Sequence, residues 1–301
     1  MKKYFILIST TIAIIVLFKL LLPGPTNNKE MESSFWSNKT HSTNDFDIIA
    51  CGDSRIYRGI SSDILRNIKL DLSFLNLGYS SAGLSNEYLD FVVSKFNPES
   101  KKNILIVGIS PHSLTKEAKK NVALKSYLKL SCFEVFRYRY LSSFLKEFAP
   151  YKPLKLIKQK KNNYLQTYNE DGWVASDNIK PDSTRALKSY KKIFNEYKVS
   201  QNDMLLTINK LKQLALSGIN VIAFRVPTTV QMERLEDSIS GYDESFVKNS
   251  LIQHSINYLD FQNSDFASYD GSHLNEKSAR KLSEQIGEKI KELYLTTPKL
   301  H

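Results

Sequence analysis

The chain has 301 residues, 42% of them apolar, and a formal net charge of +11. This length and apolar content suffice for a packed core in one large domain or two small ones, which excludes a disordered chain. Two cysteines, Cys51 and Cys132, exclude a disulfide-built scaffold, although one bridge between them stays open. Cys51 ends an apolar run, which favours a small buried thiol.

The net positive charge is compatible with two interpretations. It could attract an acidic polymer or anionic lipid headgroups, or it could simply solvate a surface.

The N-terminus carries a long apolar run from Tyr4 to Leu22, directly after Lys2 and Lys3. About 19 residues at 1.5 Å each nearly cross a hydrocarbon core of about 30 Å, which predicts a single transmembrane helix. We therefore expect an anchor over residues 1–25, with its basic end in the cytoplasm, and a soluble extracytoplasmic domain at the cell membrane. A cleaved signal peptide is the alternative, but the run exceeds the usual apolar region and lacks an A-x-A site.

The residues after the anchor suggest a stalk over 26–45 and a folded domain over 46–301. Apolar runs that end in polar turns predict five strands, at 46–50, 72–77, 103–109, 219–226 and 256–259. Periodic apolar residues predict helices at 85–96, after Asp203, which is expected to cap the second helix, and over 276–295. This alternation predicts an α/β fold with a mostly parallel sheet between helices.

Residues 112–202 interrupt the alternation and predict an insertion too long for an ordinary connection. Aromatic residues crowd its middle, and lysines follow them. A lid, a membrane-surface element and a partner-binding face are open interpretations, as is a largely helical subdomain with a solvated basic flank.

Polar turns follow three strands of the first half, and a fourth, Asp270-Gly271-Ser272-His273, precedes the last helix. Because parallel strands end at one edge, we expect these turns to meet there. A serine hydroxyl needs an imidazole to remove its proton and a carboxylate to orient that imidazole. His273 is the histidine with an acidic residue three positions earlier, so Ser54, His273 and Asp270 are the candidate catalytic residues. A capping Asp-Ser pair and an Asp-Gly turn are the structural alternatives.

These motifs resemble the SGNH, or GDSL-like, hydrolase superfamily, whose nucleophile lies in Gly-Asp-Ser and whose Asp-x-x-His lies near the C-terminus. The similarity spans about residues 46–295 and implies a three-layer sandwich. The stretches 52–60 and 270–275 look most like those of membrane-anchored members of the superfamily. In this respect the chain resembles accessory proteins that work beside membrane-bound O-acyltransferases in polysaccharide or teichoic-acid acylation. The resemblance thus implies such a partner and a hydroxyl-rich or acidic surface polymer.

Two departures from the family pattern concern the oxyanion hole. The family has a glycine five residues after the position of Asn76, whereas this chain has Ser81 there and Gly83 two residues later. The family's next conserved motif supplies an asparagine, and here Ser110 or His112 stands in its place. Ser81, Gly83 and Ser110 are therefore the candidate oxyanion donors.

Three arginines complete the predicted site. Arg55, Arg58 and Arg225 lie near the predicted edge and could bind an anionic substrate group, or be salt-bridged or surface residues.

The predicted activity is a serine acyltransferase, with a carboxylesterase or deacetylase and a non-catalytic scaffold as alternatives. No metal or other cofactor is expected, since no Cys/His ligand spacing occurs. Nucleic acid is not an expected partner of an extracytoplasmic domain.

Overall fold

The central sheet has five parallel strands, and every strand predicted from the sequence is present. The computed structural model describes residues 2–21, 29–68, 72–100, 102–141, 164–261 and 265–296. The strand order is β2-β1-β3-β6-β7. The strands are β1 Ile48–Cys51, β2 Phe74–Asn76, β3 Ile104–Ile109, β6 Asn220–Arg225 and β7 Asn257–Leu259.

Both faces of this sheet are buried. Along β3, Leu105 and Val107 pack into one apolar cluster, whereas Ile104 and Ile106 pack into a second cluster on the opposite face. Successive side chains of a strand point to opposite faces, so uninterrupted apolar runs build two cores around one sheet. The expected parallel sheet between helices is confirmed.

Several α-helices flank the sheet, and the described residues contain thirteen α-helices in all. They are α1 Lys2–Leu21, α2 Lys29–Thr40, α3 Ser54–Gly59, α4 Ser62–Arg66, α5 Asn86–Val93, α6 Pro111–Leu114, α7 Val122–Leu128, α8 Cys132–Phe136, α9 Thr184–Glu196, α10 Gln201–Leu216, α11 Val230–Ile239, α12 Glu244–Gln253 and α13 Glu276–Thr296. The last helix packs against α3 and α4, where the Ser61 N–H donates to Ser283 Oγ at 2.7 Å. This packing brings the C-terminal part of the chain to the helix that begins at Ser54.

Asp203 does not cap α10, contrary to the sequence-based prediction. The cap is Ser200, whose side chain accepts from the Asp203 N–H while Asp203 accepts from the Ser200 N–H in return. This reciprocal arrangement is a capping box, in which the acidic residue occupies the third helical position.

The predicted stalk is wrong for the residues that form α2. Phe35 and Trp36 are buried in the core, and Lys39 is 1% exposed. Lys39 Nζ lies 5.2–5.4 Å from the centroids of four aromatic rings and donates to Gly172 O at 3.0 Å. Polar residues of this segment suggested a linker, but its aromatic residues bury enough surface to attach it to the domain.

The part of the insertion that the structure describes is less helical than predicted. It contains α6 to α8, a π-helical turn Arg137–Leu141, and α9, but also an antiparallel hairpin of β4 Tyr164–Tyr168 and β5 Val174–Asn178. Trp173 Nε1 donates to Arg58 O at 3.1 Å and so attaches the hairpin to α3. The Asp171-Gly172 pair between the two strands is a sequence signal typical of a hairpin turn. The basic stretch over 152–161 lies outside the described residues.

The N-terminal apolar run forms helix α1 over the described residues Lys2–Leu21. Within the described part of the chain, no helix meets the length and apolarity required of a membrane span.

The two cysteines do not form the bridge that the sequence left open. Both are free thiols, Cys51 buried in β1 and Cys132 exposed at the start of α8.

Candidate active site

Ser54 lies at the first turn after β1, at the carboxyl edge of the sheet. Gly52 has φ +148°, and a Cβ there would lie 2.6 Å from Ile56 Cγ1 and 2.8 Å from Gly108 O. Glycine is therefore required where the chain leaves the strand. Asp53 caps the helix through a 2.9 Å bond from the Arg55 N–H, which leaves Ser54 as the first helical residue.

Ser54, His273 and Asp270 form a continuous hydrogen-bonded chain. Ser54 Oγ lies 2.8 Å from His273 Nε2, and His273 Nδ1 lies 2.7 Å from Asp270 Oδ2. The other oxygen of Asp270 accepts the N–H groups of Ser272 and His273 at 2.9 and 2.8 Å. The structure thus brings together three residues that are 219 positions apart at their extremes.

The short segment between Asp270 and His273 depends on Gly271. This glycine has φ +88°, and a Cβ would meet Ser183 Cβ at 2.6 Å. The Gly271 carbonyl accepts from the Thr229 N–H and hydroxyl, so the segment is held by the loop after β6. This conformation places the Asp270 carboxylate in contact with the imidazole three positions later.

Electrostatics fix the protonation states of this pair. Burial alone would raise the pKa of Asp270, but the bonds from His273 and from backbone N–H groups outweigh it and lower the pKa to about 2. Burial is the main cause that lowers the pKa of His273 below 6.5, against the opposing effect of Asp270. At neutral pH the carboxylate therefore accepts the Nδ1 proton, and the lone pair of Nε2 faces the Ser54 hydroxyl.

Ser110 does not point a donor at Ser54. Its hydroxyl donates to Asp53 Oδ2 at 2.5 Å and accepts from the Ser113 N–H at 3.0 Å, while its own N–H donates to Ser113 Oγ. The role predicted for Ser110 is corrected accordingly, because both of its donors are engaged. Ser110 instead holds Asp53, the residue that caps the helix of the nucleophile.

Gly83 is likewise engaged elsewhere. Its N–H donates to Ala118 O and to Asn121 Oδ1, both at 2.8 Å, so the predicted oxyanion role does not fit. Ser81 is exposed in the Tyr79–Ala82 turn with φ +52°, and its N–H has no acceptor among the described residues. The Tyr79 N–H bonds Gly52 O at 3.0 Å, which keeps this turn beside the Ser54 loop.

A further free donor lies on Ser54 itself. The N–H groups of Arg55, Ile56 and Tyr57 all donate to Asp53, whereas the Ser54 N–H has no acceptor in the described part of the chain. An N–H at the start of a helix is suited to an oxyanion. Of the oxyanion candidates considered, the N–H groups of Ser54 and Ser81 are the ones without an acceptor among the described residues.

Arg55 and Arg225 are not substrate-binding residues in this structure. Both contact Glu236, which is completely buried: Arg55 through Nη2, and Arg225 through Nη2 at 3.2 Å. Arg225 also bonds Glu244 at 2.8 Å. The salt-bridged alternative is the correct one for these two arginines, since buried guanidinium groups require acidic partners.

Arg58 differs from the other two arginines because it is half-buried and contacts phenols. Its Nη1 donates to the hydroxyls of Tyr164 and Tyr269. Tyr269 in turn stacks on His273, with ring centroids 5.8 Å apart and planes 13° apart. Arg58 therefore lies beside the imidazole that contacts Ser54.

His112 lies close to the site but makes no ring hydrogen bond within the described residues. Its ring packs edge-to-face on Tyr190 at 6.0 Å, and burial lowers its pKa. Tyr190 also covers the Arg55 guanidinium at 5.0 Å and accepts from Ser272 Oγ. These contacts make His112 part of the wall behind the Ser54 loop.

Sequence reasoning missed Glu236, Tyr164, Tyr190 and Tyr269. Tyr269 directly precedes Asp270, which is a usable local signal. The others lie on the insertion or on α11, and only the packing of these elements reveals them. No cluster of metal-ligating side chains occurs among the described residues.

No protein-family model matches this chain, and no curated protein matches it. Among solved structures, it is similar to a protein provisionally described as a platelet activating factor from Streptococcus pneumonia, with a TM-score of 0.39 and 11% identity over 93% of this chain and 99% of that one. It is also similar to a carbohydrate acetylesterase family member from Sinorhizobium meliloti, with a TM-score of 0.38 and 8% identity over 82% and 98%. At these scores neither likeness assigns a fold or an activity to the chain.

Proposed function

We propose that the protein is a serine acyl-transfer enzyme of SGNH type in which Ser54 is the nucleophile. The observation that carries this proposal is the Ser54–His273–Asp270 chain, with contacts of 2.8 and 2.7 Å. A carboxylate that stays ionised and an imidazole that stays neutral meet the electronic requirements of such a group.

The reaction proceeds in two steps through an acyl-enzyme. Ser54 Oγ attacks the carbonyl carbon of an ester and its proton passes to His273 Nε2, while Asp270 stabilises the imidazolium. Collapse of the tetrahedral intermediate breaks the bond to the leaving alkoxide, which takes the proton from His273. In the second step, a hydroxyl or water gives its proton to His273 and attacks the acyl carbon, and Ser54 leaves and recovers its proton.

The acceptor in this proposal is a hydroxyl of a cell-surface polysaccharide or teichoic-acid-like polymer, and a membrane-bound O-acyltransferase supplies the acyl group. The support is the apolar run from Tyr4 to Leu22 behind Lys2 and Lys3, which we propose as a membrane anchor with the domain on the extracytoplasmic side. Hydroxyl-rich polymers are abundant in that location. The net charge of +11 favours an acidic polymer.

Intact mass spectrometry of the full chain with p-nitrophenyl acetate tests the proposal. We expect one acetyl group on Ser54, and none in Ser54→Ala. A chain that stays unmodified and releases no nitrophenol would contradict the nucleophile assignment.

The competing activity is simple hydrolysis of small esters. Steady release of nitrophenol in water without added acceptor favours a carboxylesterase. An acetyl-enzyme that persists in water and is discharged by a polyol favours transfer.

A further inference from the structure

The Arg58 guanidinium has no carboxylate partner among the described residues. Its Nη1 donates to two phenol oxygens, and its Nε is buried without any partner. Arg55 and Arg225, by contrast, both contact Glu236. The site therefore contains a positive charge that no carboxylate of the described residues neutralises.

Neutral groups surround this charge. The rings of Tyr57, Tyr164 and Tyr269 lie 5.1, 5.6 and 6.0 Å from the Arg58 guanidinium carbon. Burial raises the pKa of Tyr269, so its phenol stays protonated and adds no negative charge. Aromatic faces stabilise a cation only modestly, and a partly buried charge without a counter-ion is unfavourable.

The position of Arg58 relates this charge to the candidate nucleophile. Ser54 and Arg58 are four residues apart in α3, a spacing that puts their Cβ atoms about 5–6 Å apart on one helix face. The Arg58 charge also contributes to the lowered pKa of His273. A substrate that presents its carbonyl carbon to Ser54 Oγ would therefore reach Arg58 with a group that is only a few bonds from that carbon.

We infer that Arg58 binds an anionic group of the substrate, a carboxylate or a phosphate, that lies a few bonds from the acyl carbonyl. The inference rests on the proposed acyl-transfer function and specifies its substrate class. The hydroxyls of Tyr57, Tyr164 and Tyr269 orient the guanidinium. The N–H groups that these phenols leave free supply charge-assisted hydrogen bonds to the anion. Substrates with this anion are selected over neutral esters of equal size.

A matched pair of esters tests the selection. The full chain is assayed with mono-4-nitrophenyl succinate and with its neutral methyl ester, which differ in one charge. We expect a higher kcat/KM for the anionic ester, and a loss of about tenfold or more in the ratio of the two kcat/KM values in Arg58→Gln. The ratio cancels any general damage to the active site, so a variant with low activity stays informative.

Two further variants control for total charge and for geometry. Arg234→Gln removes one positive charge from an exposed position on α11 and should keep the wild-type ratio. Arg58→Lys keeps the charge without the planar fork and should recover part of the preference. Equal ratios in the wild type and in Arg58→Gln would overturn the inference.

Equilibrium binding separates this inference from the proposed chemistry. Calorimetric titration of full-length Ser54→Ala with inorganic phosphate and with succinate should show saturable binding of at least one anion, and the Arg58→Gln substitution should abolish it. The anion that binds identifies the group. Binding without any ester turnover in the wild type would reject the acyl-transfer function and keep the anion site, whereas absence of binding by both anions would reject the site.

Discussion

Arg55 Nε donates a hydrogen bond to Ser272 Oγ across 3.2 Å, which links the helix that begins at Ser54 to the segment that carries His273. Glu236 fixes this link, because its carboxylate contacts both Arg55 and Arg225 in the protein interior. The two parts of the candidate site are thus connected by an ionic network as well as by the Ser54–His273 contact.

Glu236→Gln should destabilise the protein by about 3–5 kcal/mol, because it leaves two buried arginines with one fewer acidic partner. Urea denaturation followed by circular dichroism measures this change. Glu288→Gln, in an exposed ion pair with Lys291, is the control and should change stability by less than about 1 kcal/mol. Similar effects of both substitutions would show that the Glu236 network is not a major stabilising element.

Ser54→Ala and His273→Ala should each lower kcat by about 10⁴-fold or more, because each removes a group that acts in both proposed steps. The double variant should be no slower than the single ones, since the residues act as a unit. Ester hydrolysis assays and thermal melts of the same samples check activity and folding together. A double variant whose loss is the product of the single losses would contradict joint action.

The kcat/KM for p-nitrophenyl acetate should decrease as the pH falls through the pKa of His273, because the protonated imidazole cannot accept the Ser54 proton. Burial places this pKa below 6.5, so half of the maximal rate should be reached at a pH below 6.5. Asp270, with a pKa of about 2, stays ionised across that range. A pH profile with its acid midpoint above 6.5 would contradict this assignment.

Gly52→Ala should destabilise the fold and lower activity, because the new methyl group meets Ile56 and the Gly108 carbonyl in a backbone conformation that L-residues rarely adopt. Gly218→Ala is the matched control, since Gly218 also has positive φ, +94°, but has open space around its Cβ position. We expect a loss of about 1 kcal/mol for the control and a larger loss for Gly52→Ala. Thermal melts measure both, and equal losses would show that the steric contact is unimportant.

Cys132 should react with a thiol reagent in the native protein, and Cys51 should react only after unfolding. Cys132 is exposed, whereas Cys51 is buried in β1 and its burial raises the pKa of the thiol. Titration with a chromogenic disulfide before and after denaturant measures one and two thiols respectively. Two rapidly reacting thiols in the native state would mean that β1 opens readily.

The sheet and the Asp270–His273 pair were accessible from the sequence because their signals are local, whereas the Ser54–His273 contact followed from the expectation that turns after parallel strands meet at one edge of the sheet. Apolar runs such as 104–109 indicate buried strands, and the spacing of Asp270 and His273 places both in one turn. The first residue of α10 was harder to predict, because Ser200 and Asp203 are both good capping residues. Their reciprocal hydrogen bonds decide between them.

The roles of the arginines and of the oxyanion candidates were not accessible in this way. The sequence offers no way to distinguish the roles of Arg55, Arg58 and Arg225. Their roles differ because Glu236, which lies on a helix distant in sequence, contacts Arg55 and Arg225. Gly83 and Ser110 have suitable positions after strands, but Asn121 and Ser113 engage their donors. Long-range contacts of this kind leave no local pattern.

Helix α2 also determines where the chain can be shortened. Its Trp36 ring stacks on Tyr79 and Tyr127 and meets Tyr57 edge-on, so these three rings share one neighbour. A shortened protein that starts at residue 46 would lack Trp36 and the Lys39 side chain that lies among those aromatic rings. It would expose a cavity directly behind the helix of Ser54. A version that starts before Lys29 retains α2 with Trp36 and Lys39. This longer version is the one suited to measuring the activity of the isolated domain.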